Sequence, residues 1–274
     1  MAIALNLPHM NIRPRTLLTI AFAAFAGIAG AAEPVEVSFT SGNLELHGFL
    51  FKPEGNGPFP AVLYNHGSEK RPGSKPEIAH FFTANGYVLF VPHRRGHGRS
   101  PGSYIMDTLG NTQSSVRGQV MVNLLEQQNE DVTAALDYLK RLPYVDAKRI
   151  AVAGCSFGGI QTVLTAEKNL GLRAAVPIAA GAQNWSRTSE LQDRMIAAVR
   201  RATVPVFLLQ AENDYDTSPT RVLGKEMEKA GKTHKAVVYP PYGTSAQEGH
   251  GGFCGRGMSV WGKDVLAFLG AALQ

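Results

Sequence analysis

Cysteine is scarce in this chain: 274 residues hold two, Cys155 and Cys254, so at most one disulfide can form within it. Net charge is also low, at +5. Arg94, Arg95 and Arg99 form no long basic stripe with interleaved aromatics, which argues against nucleic acid as a partner. No Gly-x-Gly-x-x-Gly follows a first strand and no complete Walker motif Gly-x-x-x-x-Gly-Lys-Ser/Thr occurs, so neither a nicotinamide nor a nucleotide site is expected. His66 has no histidine or carboxylate at ligand spacing, so no metal is expected either. Internal repeats and low-complexity tracts are missing. The uncharged run from Leu17 to Ala29 is too short to span a bilayer.

What is present is a chain with 44% hydrophobic residues, enough for one large α/β core. The N-terminus has the pattern of an export signal. Arg13 and Arg15 supply the positive region, Leu17 to Ala29 the apolar run, and Ala29-Gly30-Ala31-Ala32 the small residues of a cleavage site. Arg13-Pro14-Arg15 is not a twin-arginine pair. The expectation is a signal over residues 1–32 and a single folded domain over 33–274, exported to a periplasm or secreted. Removing Arg13 and Arg15 would leave a charge of about +3.

Val35 to Phe39 alternates as a half-buried strand, Ser41-Gly42-Asn43 is a turn, and Leu44 to Phe51 alternates again. That predicts an antiparallel hairpin at a sheet edge. Beyond Pro60 the rhythm changes to short apolar strands separated by helices. Strands are expected at Ala61 to Tyr64, Tyr87 to Val91, Ile150 to Ala153, Ala174 to Ala179, Val204 to Gln210 and Ala236 to Tyr239. Helices are expected at Glu77 to Asn85, Glu130 to Arg141, Ile160 to Asn169, Pro219 to Ala230 and Val260 to Leu273. Apolar strands without alternation argue for a mostly parallel, doubly wound sheet covered on both faces. Ser100 to Gln128 and Gln183 to Arg200 break the rhythm at the ligand-binding edge. They read either as walls of a substrate pocket or as solvated excursions.

The segment Gly154-Cys155-Ser156-Phe157-Gly158-Gly159 lies between a strand and a helix. A strand-to-helix turn holding a serine needs small residues two before and two after it. The serine hydroxyl then stands clear of the sheet at a helix N-terminus. The N–H of Phe157 can face a developing oxyanion.

Serine acyl transfer also requires a base, a carboxylate to orient it and a second oxyanion donor. Only His234 and His250 follow Ser156. His234 opens the last strand at the wrong end of the sheet, whereas His250 lies in the loop after that strand. The acid comes from Glu212-Asn213-Asp214-Tyr215-Asp216. Asp214 is favoured by its position past the strand end. Asp216 is better placed to cap the next helix, and Glu212 is the third candidate. For the second donor the loop Asn65-His66-Gly67-Ser68-Glu69 offers the N–H of Ser68 first and that of Glu69 second.

These motifs, with Arg95-Gly96-His97-Gly98-Arg99-Ser100 and Gly249-His250-Gly251-Gly252-Phe253, resemble the dienelactone-hydrolase-like branch of the α/β-hydrolases. That branch borders the prolyl oligopeptidase catalytic domains. The resemblance runs from about Val35 to the C-terminus. It implies an α/β-hydrolase fold, Ser156, Asp214 and His250 as a triad, and the N–H groups of Phe157 and Ser68 as the oxyanion hole. One departure is that dienelactone hydrolases proper carry cysteine where Ser156 stands. The expected activity is hydrolysis of a small or medium ester without a cofactor. The alternatives are a peptidase of short peptides, with Arg94, Arg117 or Glu248 holding a charged terminus, and a non-enzymatic binding protein. Cys155 adjoins the serine and Cys254 follows the histidine by four residues, so they either pair or rest as buried thiols.

Overall fold

A computed structural model describes residues 33–274. The expected export signal over residues 1–32 lies outside the described residues. Eight strands form one sheet: β1 (Val35–Ser41), β2 (Leu44–Phe51), β3 (Phe59–Asn65), β4 (Val88–Pro92), β5 (Val145–Cys155), β6 (Ala174–Ile178), β7 (Val206–Ala211) and β8 (His234–Tyr239). Their spatial order is β1-β2-β4-β3-β5-β6-β7-β8. The hairpin β1–β2 is antiparallel and β2 joins β4 antiparallel, while every pairing from β4 to β8 is parallel. The hairpin alternates because one face is wet. The central strands do not, because helices bury both faces: β4 and β6 are buried at every residue.

The helices are α1 (Pro76–Ala84), α2 (Ile105–Gly110), α3 (Arg117–Lys140), α4 (Phe157–Ala166), α5 (Ser189–Arg200), α6 (Ser218–Lys229), α7 (Phe253–Arg256) and α8 (Met258–Ala272). No helix among the described residues is long and apolar enough to cross a membrane.

Two expectations need correction. Helix α3 starts well before Glu130 and absorbs much of Ser100 to Gln128, the segment for which a pocket wall and a solvated excursion were both open. Its buried face is Met121, Leu125, Gln128, Asn129, Val132, Leu136 and Leu139, a helical stripe interrupted by amides. Those amides face inward because α4 presents polar partners. Asn129 Nδ2 donates to Gln161 Oε1 and Thr165 Oγ1, both at 2.9 Å. Likewise α5 packs on α3, α4 and α6, with Leu191, Met195, Ala198 and Val199 each buried, and is not a solvated excursion. Leu191, Met195 and Val199 each contribute roughly 1.5–3 kcal/mol on burial.

The chain order reverses direction at β3, which has β4 on one side and β5 on the other. The loops leaving β3 and β5 therefore diverge at the carboxyl edge and open a crevice, the usual ligand position in an open α/β sheet.

Candidate active site

Ser156 follows the last residue of β5 and precedes α4, with φ 56° and ψ −117°. A non-glycine residue in that region is strained. The strain is enforced by close packing. A Cβ on Gly158 would overlap the carbonyl of Asn65, and one on Gly154 would meet the carbonyl of Gly158 at 2.5 Å. The Ser156 N–H is held by Ile178 O at 3.0 Å, and its hydroxyl makes no capping bond. Phe157 begins α4, where the helix supplies no acceptor for its N–H.

His250 lies on a π-helical turn, Glu248–Gly252, after β8. Its Nδ1–H donates to Asp214 Oδ1 at 2.8 Å. Asp214 also accepts the Tyr215 N–H on Oδ1 at 2.7 Å and Gln210 Nε2 on Oδ2 at 3.1 Å. Three donors on a buried carboxylate fix its plane and so the plane of the imidazole. His250 Nε2 is buried and has no hydrogen-bond partner among the described residues. Tyr215 stands edge-on to the imidazole, with ring centroids 5.4 Å apart.

The other carboxylates are elsewhere. Asp216 Oδ1 accepts the Ser218 N–H at 2.8 Å at the start of α6, and Glu212 is exposed. His234 sits at the opposite end of β8 with Nδ1 at 2.9 Å from Lys232 O. Asn213 stands in the acid motif, but motif reading gave it no role. Its side chain donates to Tyr242 O at 3.1 Å and Ser245 O at 2.9 Å, and accepts the Tyr242 N–H at 2.9 Å. It buckles the acid loop to the histidine loop. Nothing in its local sequence separates it from any turn asparagine.

Ser156 and His250 line one cavity of about 240 Å³, together with Ser68, Glu69, Gln183, Tyr215 and Gln247. Of the two irregular segments, Gln183 reaches this cavity, whereas residues 100–128 line separate ones. Neither Arg94, Arg117 nor Glu248 lines it. Arg94 is wholly buried, Arg117 donates to Leu109 O, and Glu248 accepts the N–H groups of Thr244 and Ser245. Glu69 is half-exposed and paired with Lys75 at 2.8 Å. Burial is the largest single influence and acts to raise its carboxyl pKa, but the charge and hydrogen bond of Lys75, a backbone hydrogen bond and the Arg94 charge together make the net shift downward.

Cys155 and Cys254 are bonded, with Cα atoms 5.9 Å apart. The bridge joins the residue before Ser156 to α7, just beyond His250.

A sheet of this order, with a strained serine after its fifth strand and a histidine–aspartate pair on the last two strand ends, is an α/β-hydrolase. The dienelactone hydrolase family profile matches residues 46–249, and the chain belongs to that family. It is 26% identical over 233 residues to the uncharacterized peptidase YtmA of Bacillus subtilis, covering 76% of this chain and 83% of that one. It is 27% identical over 146 residues to the quorum-quenching protein AidA of Acinetobacter baumannii, covering 52% of this chain. Among solved structures, Pyrococcus horikoshii acylaminoacyl peptidase superposes with a TM-score of 0.68 at 18% identity over 89% of this chain, a likeness of fold. The chain spans 42% of the length of AidA and of that peptidase.

Proposed function

We propose that this hydrolase cleaves carboxylic esters of small or medium size through Ser156, His250 and Asp214. The observation that supports this most is the Asp214–His250 hydrogen bond, which leaves a buried, unpartnered Nε2 in the cavity that Ser156 lines. In this reading Nε2 takes the Ser156 proton as Oγ attacks the substrate carbonyl. The N–H groups of Phe157 and Ser68 stabilise the oxyanion. His250 then protonates the leaving alcohol, and water releases the acyl group by the same route. In the free protein the serine–histidine bond is unmade, as is common before substrate tightens a site.

A peptidase of short peptides is the second reading, favoured by the name of YtmA. It needs an anchor for a charged terminus, and the residues expected for that role point elsewhere. We further propose that the protein is exported. The N-terminal pattern and the Cys155–Cys254 bridge both suit an oxidising compartment.

The test is a p-nitrophenyl ester and a dipeptide p-nitroanilide assayed side by side, with wild type and Ser156→Ala. Ester turnover lost in the variant supports the reading. Faster amide than ester cleavage would move the assignment to a peptidase. No turnover, together with no labelling by a fluorophosphonate, would overturn both.

A further inference from the structure

The loop that carries Ser68 has four consecutive carbonyls, and each is held by a side chain from one neighbouring segment. Arg94 Nη1 donates to His66 O at 3.0 Å and Arg94 Nη2 to Gly67 O at 2.9 Å. Tyr104 Oη donates to Ser68 O at 2.5 Å. His97 Nδ1 donates to Glu69 O at 2.8 Å. Arg94 is itself fixed, because its Nε donates to Gln128 Oε1 at 3.0 Å. The other end of that amide meets His97 Nε2 at 3.3 Å.

The direction of the Ser68 N–H follows from these bonds. In a trans peptide the C=O and N–H point in opposite directions. Arg94 draws the Gly67 carbonyl into the protein interior, so the N–H of the same peptide unit, that of Ser68, faces away. Ser68 lines the cavity shared with Ser156 and His250. Tyr104 holds the next carbonyl and prevents the loop from turning over.

Among the described residues the guanidinium has no carboxylate within salt-bridge reach, although Arg94 is fully buried. Burying a guanidinium costs desolvation, offset here only by its hydrogen bonds to the two carbonyls and the Gln128 amide, so the group is committed to holding them. Burial is also the first cause of its lowered pKa, about 10, so it stays charged at neutral pH.

We infer that Arg94, braced by Gln128 and assisted by Tyr104, is the positioning residue that aims the Ser68 N–H at the oxyanion. The inference rests on the proposed serine hydrolysis. It assigns a function to Ser100–Gln128: this segment and its approach build the oxyanion loop from behind and do not wall the substrate.

Arg94→Met keeps the length of the side chain and removes its donors. Loss of one aimed oxyanion donor lowers kcat by about 100-fold to 1000-fold. The substrate contacts are untouched, so KM should stay within about threefold. A merely structural arginine would not move the next readout. An aryl trifluoromethyl ketone, which forms an oxyanion on Ser156, should bind Arg94→Met about 100-fold more weakly. The matching methyl ketone should bind both proteins alike. Tyr104→Phe, at a partly exposed position, should show the same pattern at about tenfold, and it remains informative if Arg94→Met does not fold. Equal losses for both ketones, or a rise in KM with kcat unchanged, would overturn the inference and leave the esterase reading intact. If wild type neither turns over esters nor binds the fluorinated ketone more tightly, both fall.

Discussion

Removing the Cys155–Cys254 bridge perturbs stability and the site together, and the size of the first effect can be worked from the fold. The sequence separation is 99 residues, so the bond closes most of the second half of the domain into one loop. In the chain-entropy model a loop of that length destabilises the unfolded state by about 4–5 kcal/mol. Cys254 is 2% exposed and packs in the apolar layer with Phe253 and Trp261, so Cys→Ala also leaves a small void. That void costs roughly 1 kcal/mol. Against a total stability of about 5–15 kcal/mol, the double variant should therefore lose a large fraction. For a domain of this size, 4 kcal/mol corresponds to a Tm lower by roughly 8–16 °C.

The assay is urea unfolding of Cys155→Ala/Cys254→Ala beside wild type, each with and without a phosphine reductant. The urea midpoint should fall in the variant. The variant's m-value should rise, because an uncrosslinked unfolded chain exposes more surface. Reductant should bring wild type to within about 1 kcal/mol of the variant, the difference being the void, and leave the variant unmoved. Activity should decline before global unfolding, since the bridge fixes the Ser156 turn relative to the turn that carries His250. A variant with an unchanged midpoint would refute the argument. So would two titratable thiols in denatured, unreduced wild type.

Among the carboxylates, Asp214→Asn should lower kcat by about four decades, against about six for Ser156→Ala or His250→Ala. Asp216→Asn should stay near wild type, and the reverse pattern would displace Asp214 as the orienting acid. Acid stability should follow the buried histidines. His97 is pushed down to about 4 from its ordinary 6.5, first by burial and then by the Arg94 charge, and burial and the same charge push His66 well down. Above the unfolded value both states of His97 are neutral. As pH falls from 6.5 toward 4 the unfolded chain takes up the proton first, so stability declines by up to about 3 kcal/mol for this group. Urea midpoints at pH 7, 6 and 5 check this, and a flat profile would rule it out. Asn129→Ala should destabilise by about 2–3 kcal/mol, because Gln161 and Thr165 lose a buried partner. Calorimetry showing less than about 0.5 kcal/mol would mean that a water replaces the amide.

What could be read from the sequence, and what could not, divides mainly along one physical line; α5 is the exception, buried by Leu191, Met195, Ala198 and Val199 beneath an otherwise polar helix surface. Elements buried by apolar side chains were legible: the hairpin alternation, the continuous strands β3 to β7, and the glycines that let Ser156 sit between Asn65 and Ile178. Elements buried by polar side chains were not. Gln128, Asn129 and Asp131 make α3 look wet, yet Gln128 braces Arg94, Asn129 ties α4, and Asp131 accepts Ser41 Oγ and the Arg95 guanidinium. A polar residue can be buried only where another element supplies its partner. That partner is remote in sequence: 90 positions separate Ser41 from Asp131, and 32 separate Asn129 from Gln161. No local pattern carries that information. Under the proposed mechanism, the same reasoning explains why the candidates Ser156, His250 and Asp214 could be named from the sequence while Arg94 and Tyr104 could not. The first three follow from motif, chain order and loop position, which are properties of the strand ends. The other two matter through the carbonyls they hold, and a carbonyl has no letter in the sequence. The supporting layer of this site is thus polar, buried and nonlocal, and substitutions there should alter kcat while leaving the residues that touch substrate unchanged.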